Sequence, residues 1–287
     1  MGLEKLALIG LSAVLHASWN LLAKRSSDKQ AFLWLMMVAS VGLLLLPVAY
    51  LRPPVPRCGW GWVGLSGTLE AVYVILLGNA YQEGDLSAVY PVARGTAPVW
   101  ATLIAYLFAG ETVSPLGAIG ILAVGAGVYL TNLGPALRSR PNGFLPSNGK
   151  AFRLSVLTGL TIAGYSVVDR TGVQVINPIA YLCLVFATAS FLVAPHILAS
   201  RARRAAEEWR RSGLRVLAVA AMSAAAYLLV LLVMRTTVVG YVASIREVSV
   251  VFAALLGTIV LREPFGRWKV LGSSVIFAGI MVIAIAG

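Results

Sequence analysis

Residues 90–111, YPVARGTAPVWATLIAYLFAGE, and residues 242–263, VASIREVSVVFAALLGTIVLRE, are two altered copies of one stretch. A shift of 152 superposes Arg94 on Arg246, Val99 on Val251, Ala101 on Ala253, Leu103 on Leu255 and Glu111 on Glu263. Outward from it, Leu76 and Leu77 meet Leu228 and Leu229, Gly120 meets Gly272, and Gly127 meets Gly279. A shift of 148 brings Ala39 onto Ala187 and Leu44 onto Leu192, with a proline, Pro47 or Pro195, in each segment. A shift of 146 brings Trp19 onto Tyr165, Asn20 onto Ser166 and Lys24 onto Arg170. The chain is therefore read as two halves, 1–133 and 152–287, joined by the Gly- and Pro-rich connection 134–151.

The copies are apolar, and so is nearly everything else. With 59% hydrophobic and 12% charged residues and a mean hydropathy of +0.85, this composition is that of an integral membrane protein rather than a soluble domain. The apolar residues come in blocks of about 20, the length that carries a helix across the hydrocarbon layer. Ten such blocks are expected, near 3–23, 31–51, 60–81, 87–108, 114–133, 153–169, 178–199, 214–234, 239–261 and 267–286. They do not alternate as barrel strands do. The first is too long for a signal-peptide core and reads as a retained helix.

The net charge of +12 sits mostly in connections, a pattern for facing cytoplasm and anionic lipid, so nucleic acid is not expected as a partner. Odd-numbered connections carry sixteen Lys and Arg against five in the even-numbered connections and termini, a bias that places both termini outside. The run SRARRAAEEWRRSGLR, residues 200–215, reads as a short basic loop within that count. Cys58 and Cys183 suggest neither a disulfide framework nor a metal cluster.

Polar residues inside apolar spans are the functional candidates, because they are costly there unless they face protein or a wet cavity. The first span carries Ser12, His16, Trp19 and Asn20 in one sector. His16 reads as part of an interhelical hydrogen-bonding seam, while Trp19 and Asn20 read as cavity lining. The third carries Glu70, Tyr73 and Leu77 on one face; Glu70 reads equally as a proton-coupling carboxylate or as a partner for an arginine. In the fourth, Ser87, Tyr90 and Arg94 share a stripe, with Arg94 suited to a solute carboxylate in a cavity or to pairing with Glu70. Thr158, Thr161, Tyr165 and Asp169 share a broad face of the sixth, where Tyr165 and Trp19 would form two walls of one cavity. Asp169, next to Arg170, reads as an interfacial charge. Tyr227 in the eighth adds contact surface. In the ninth, Arg246 and Glu247 lie about 100° apart around a helix, so each is expected to have another partner; Glu247 joins Glu70 as a proton-coupling candidate. Glu111 and Glu263 read as structural helix-junction residues. Ser114 and Pro115 after Glu111 look like the cap and first residue of the next helix. The glycines at 117, 120, 125 and 127 allow close approach to a neighbouring helix or to a second subunit, a homodimer.

FAGETVSPLGAIGILAVGAGVYL and VLREPFGRWKVLGSSVIFAGIMVI, each a glutamate followed by a glycine-bearing helix at the end of a five-span half, resemble the EamA-type proteins of the drug/metabolite transporter superfamily. The likeness covers essentially the whole chain. It implies two inverted five-helix repeats, a central cavity among the first, third, fourth, sixth, eighth and ninth helices, and export of amino acids or other small metabolites from a bacterial inner membrane or a plasma membrane, with both termini cytoplasmic. An odd number of crossings per half agrees with inversion, which would set Arg94 and Arg246 at opposite ends of the cavity.

The function expected is a secondary transporter working by alternating access on a small-molecule substrate, without a cofactor. No Walker motif is present. His16 and His196 are far apart, and no nucleophile with a base or set of metal ligands is in evidence, so an enzyme is not expected. A broad drug exporter and a non-transporting receptor or assembly subunit are the alternatives; paired arginines favour a solute with a carboxylate.

Overall fold

The computed structural model describes residues 2–23, 26–83, 86–139, 149–261 and 266–286, and among them the side chains other than those at 86–88, 90, 132–139, 257, 260 and 261. Its helices in order are α1 (Leu3–Ala23), α2 (Lys29–Leu51), α3 (Gly59–Glu83), α4 (Leu86–Ala109), α5 (Pro115–Ser139), α6 (Gly149–Val175), α7 (Pro178–Met234), α8 (Val239–Arg246), α9 (Val248–Leu261) and α10 (Arg267–Ala286). No strand occurs among the described residues.

Eight described segments are long and apolar enough to cross a membrane, and α5 is apolar over its part with described side chains, Pro115–Thr131. Their outer faces carry Leu46, Phe108, Phe191 and Ile285, each more than 70% exposed. So wide an apolar surface is stable only against lipid. The chain is an all-α integral membrane protein.

Two elements depart from the expected spans. The seventh and eighth follow each other without a loop as the two helical arms of α7, parted at Ser212 where the backbone leaves helical geometry (φ −138°, ψ 20°). Trp34 Nε1 of α2 donates to Ser190 O at 3.0 Å and Ser40 Oγ donates to Ala220 O at 3.2 Å. Those α2 residues are about 9 Å apart along their axis, whereas a straight helix would separate residues 190 and 220 by about 45 Å. The two arms of α7 therefore fold back beside each other with α2 against both. The basic run expected as a loop is helical up to the bend because alanine and arginine favour helix, aided by the Arg203–Glu207 pair one turn apart at 3.0 Å. The ninth span is broken at Glu247, whose N–H turns back to Ser244 O at 3.0 Å and divides α8 from α9. The connection between halves is shorter than 134–151: α5 runs to Ser139 and α6 starts at Gly149.

The relation between halves is legible in the contact of α5 with α10. A Cβ on Gly120 would lie 2.8 Å from Gly279 O, and one on Gly127 would lie 2.8 Å from Gly272 O. Numbers rise along one helix as they fall along the other, so the helices are antiparallel. The repeat register equates Gly120 with Gly272 and Gly127 with Gly279, and exchanging equivalents turns one contact into the other. That is a two-fold relation between equivalent helices running in opposite directions, an inverted repeat. These glycines thus serve packing within the chain, not a second subunit.

Candidate functional site

Glycine contacts fix the position of α4. Gly95 and Gly125 bring α4 and α5 together, a Cβ on Gly125 falling 2.8 Å from Gly95 O, and on the other side a Cβ on Gly159 of α6 would fall 2.7 Å from Ala93 O. Between them stands Arg94, its own carbonyl released from the helical ladder because Pro98 has no N–H to return. The residue is buried, 8% exposed. Arg94 Nη2 meets Glu247 Oε1 at 3.1 Å and reaches Ser249 Oγ at 3.5 Å. Glu247 is therefore the partner of Arg94, and Glu70 is not. The turn that breaks α8 from α9 brings this carboxylate to the guanidinium.

Arg246, the repeat equivalent of Arg94, lies with its guanidinium carbon 5.2 Å above the Tyr227 ring. Among the described residues it has no carboxylate within salt-bridge distance. Arg94 meets the carboxylate of Glu247, the residue next to Arg246, so both arginines belong to one polar core and the expectation that inversion sets them at opposite ends of a cavity is corrected. The equivalence of two residues under a two-fold does not keep them apart when both lie near the axis.

Aromatic rings surround this core. Tyr73 meets Tyr165 edge-on at 6.0 Å, Tyr165 meets Tyr227 at 6.3 Å, and Phe186 stacks on Tyr227 at 6.5 Å. Trp19 meets His16 edge-on at 4.9 Å, and its Nε1 is buried without a hydrogen-bond partner among the described residues. Asn20 is spent locally, since its Nδ2 donates to His16 O at 2.8 Å. The side chain of Tyr90 lies outside the described residues, as does Glu263 altogether.

Asp169 was expected at the interface, and here the structure corrects the sequence reading. It is 1% exposed and accepts hydrogen bonds from three hydroxyls: Ser66 of α3 and Tyr181 of α7 on Oδ1, the latter at 2.8 Å, and Tyr227 of the second α7 arm on Oδ2. The Tyr181 ring occupies the space that Gly172 of α6 leaves by having no side chain. Glu70 sits within electrostatic reach of Asp169 and Arg246, and its Oε2 is buried without a hydrogen-bond partner among the described residues. The signal that could have found Asp169 was its place one turn after Tyr165 on the polar face of α6.

Glu111 lies outside this core. Gly110 (φ 64°) makes the left-handed turn that ends α4, and Ser114 Oγ caps α5 by accepting from Gly117 N at 3.1 Å. Glu111 does not serve that helix. It accepts from Arg170 Nε at 3.0 Å and from Val239 N, the first residue of α8, at 2.8 Å, so its carboxylate complements a helix start in the other repeat.

Two open depressions among the described residues lie away from these side chains, one of about 300 Å³ lined by Gly95, Trp100, Gly125 and Tyr129 among others, and one of about 380 Å³ at Gln174, Leu232, Arg235 and Thr236. A membrane protein of two inverted repeats, with buried charges and aromatic rings at the junction of its halves, has the build of a solute transporter. The sequence matches the EamA-like transporter family over residues 5–133 and 150–285, one match in each repeat, and the chain belongs to that family. A solved structure described only as the crystal structure of a protein is similar with a TM-score of 0.78 over 100% of this chain and 98% of the other. At 17% identity it bears on the fold alone. No curated protein matches the sequence.

Proposed function

We propose that this transporter moves amino acids or related carboxylate-bearing solutes by alternating access, outward across a bacterial inner membrane or plasma membrane. The observation that carries the reading is the juxtaposition of Arg246 and Glu70. Arg246 rests on the Tyr227 ring with no carboxylate within salt-bridge distance among the described residues, and Glu70 presents a buried oxygen without a partner there. A guanidinium and an acid in one core suit the two ends of a zwitterion, the guanidinium taking the carboxylate and Glu70 the ammonium. Trp19, Tyr73, Tyr165 and Tyr227 supply apolar contact for a side chain. Arg94 positions Glu247 and closes the core beside the solute. The drive is an ion gradient, exchange or the solute's own gradient.

In proteoliposomes loaded with unlabelled amino acids, a radiolabelled mixture of the twenty should be taken up by counterflow. Arg246→Ala should lower that flux at least about tenfold, the weight of one charge-assisted pair, with folded yield retained. Absence of counterflow from the unsubstituted protein would refute the reading. A second reading, export of cationic drugs, is favoured by the three buried carboxylates, Glu70, Asp169 and Glu247, set against two arginines. Competition of counterflow by tetraphenylphosphonium but not by amino acids would select it. A reporter fused after Gly287 distinguishes termini outside, as the charge bias has them, from termini in the cytoplasm.

A further inference from the structure

We infer that Asp169 is the proton-carrying group of the transport cycle and that Tyr227 links its protonation to the solute site, an inference that rests on the transporter reading above. The buried acids of the core differ in their partners. Glu247 is held by Arg94 at 3.1 Å, and a proton there would leave a guanidinium buried beside a neutral acid. Asp169 has no cation within salt-bridge distance among the described residues; all three of its partners are hydroxyls. A hydroxyl donates to a carboxylate and, turned about its C–O bond, accepts from a carboxylic acid. The same cage therefore holds both protonation states without moving a helix.

Tyr227 makes this consequential. Its hydroxyl donates to Asp169 Oδ2 while its ring lies under the Arg246 guanidinium. When a proton arrives on Oδ2, the acid's own O–H donates to Tyr227, whose hydroxyl turns about its C–O bond to accept it. The ring stays in place, and the Arg246 guanidinium above it loses the attraction of the Asp169 charge. Proton and solute are so made alternatives: the charged acid fixes Arg246 for the solute carboxylate, and the protonated acid releases it. The charged and titratable groups around Asp169 are Glu70 from α3, Tyr181 and Tyr227 from the two arms of α7, and Arg246 from α8; Arg94 of α4 is engaged by Glu247. On α6 itself Tyr165 lies one turn away, and Arg170 is turned to Glu111. The step is reversible protonation by water from one side and deprotonation to the other, one proton inward for each solute outward.

The test uses proteoliposomes of the full chain with pyranine inside. Twenty unlabelled amino acids are added outside at equal pH to vesicles containing none, and radiolabelled counterflow is measured in parallel. The unsubstituted protein should make the lumen alkaline as solute enters, and Asp169→Asn should bring protons moved per solute to zero at whatever rate its counterflow proceeds. Tyr181→Phe, which removes one hydroxyl from Asp169 and leaves every charge in place, should shift the pH–rate profile of exchange by about one unit, the effect of one hydrogen bond to a charged group. Counterflow by the unsubstituted protein without a change of lumen pH overturns the inference and leaves the transporter reading standing. Asp169→Asn vesicles with unchanged protons per solute, or a Tyr181→Phe profile that does not shift, also overturn it. Absence of counterflow from the unsubstituted protein overturns both.

Discussion

A buried ion pair is expensive to form and more expensive to halve, because the surviving charge stays out of water. Glu247→Gln leaves the Arg94 guanidinium opposite a neutral amide and should lower stability in detergent by about 3 kcal/mol. Arg94→Gln should cost a similar amount. The double variant should recover most of it, an interaction that a thermal-unfolding double-mutant cycle reads directly; additive losses would mean that the pair contributes nothing as a pair. Asp28, at the start of α2 and outside the spans, titrates differently. Burial raises its carboxyl above the ordinary 3.8, but the Ala31 N–H and the bonds from Arg204 and Arg201 outweigh that and leave it lowered. A group depressed in the folded state contributes stability above its unfolded value and loses it as the pH falls through its folded value. Asp28→Asn should therefore cost about 1 kcal/mol throughout about pH 5 to 8 and progressively less below about pH 4, checked by melting temperature against pH. At this scale the sequence reading named Arg94, Arg246, Glu247, Glu70, Tyr73, Tyr165 and Tyr227, because ionisable and aromatic residues stand out in apolar spans, but not Tyr181 or Ser66, which hold Asp169. It missed Asp169 because Arg170 beside it suggested a pair at the interface. Neighbours in a helix point about 100° apart, and here one meets hydroxyls in the core while the other meets Glu111.

Elements place these side chains through close approach, and glycines decide where that is possible. On α6 a Cβ at Gly172 would collide with the Tyr181 ring that reaches Asp169, whereas one at Gly164 would meet Leu69 Cδ1 at an ordinary 3.5 Å. Gly172→Ala should thus lower stability by about 1–3 kcal/mol as the ring is displaced. Gly164→Ala should be neutral or stabilising by up to about 1 kcal/mol through helix propensity. Unfolding in detergent distinguishes the two, and equal effects would mean that the Tyr181 contact is not tight. Apolar blocks announced these elements in the sequence, while their joints did not. The break at Glu247 has no proline or glycine to mark it, and the basic run before Ser212 is as suited to helix as to loop until the Ser27 N–H and hydroxyl, donating to Glu208 at 3.3 and 2.9 Å, tie it to the turn before α2.

For the whole molecule, duplication was legible as a register in the sequence, inversion was implied by the family resemblance and agreed with an odd number of crossings per half, and the Gly120–Gly279 and Gly127–Gly272 contacts realise both in space. What no register could foretell is which contacts tie the two repeats together at one end of the bundle. Lys5 Nζ donates to Thr236 O at 3.2 Å, Arg170 Nη1 to Arg235 O at 2.7 Å, and Glu111 takes both Arg170 and the α8 N-terminus. The Lys5 and Glu111 contacts join the first repeat to the second at one end of the bundle, so this end can open only by breaking them. Glu111 is the central one, its side chain 13% exposed against 18% for Arg170, and removing its charge should loosen the closure without unfolding the protein. A cysteine placed at Thr237, which is 9% exposed at that end, in a background without Cys58 and Cys183, reports opening by its rate of reaction with a charged maleimide. Glu111→Gln should raise that rate about fivefold to tenfold, the equivalent of the roughly 1 kcal/mol carried by a partly exposed pair, while the melting temperature changes little. Arg170→Gln should do the same, and the two together should add little to either alone. An unchanged labelling rate in both single variants would mean that the bundle is held closed elsewhere, and Lys5 with Thr236 would then be the contact to break next.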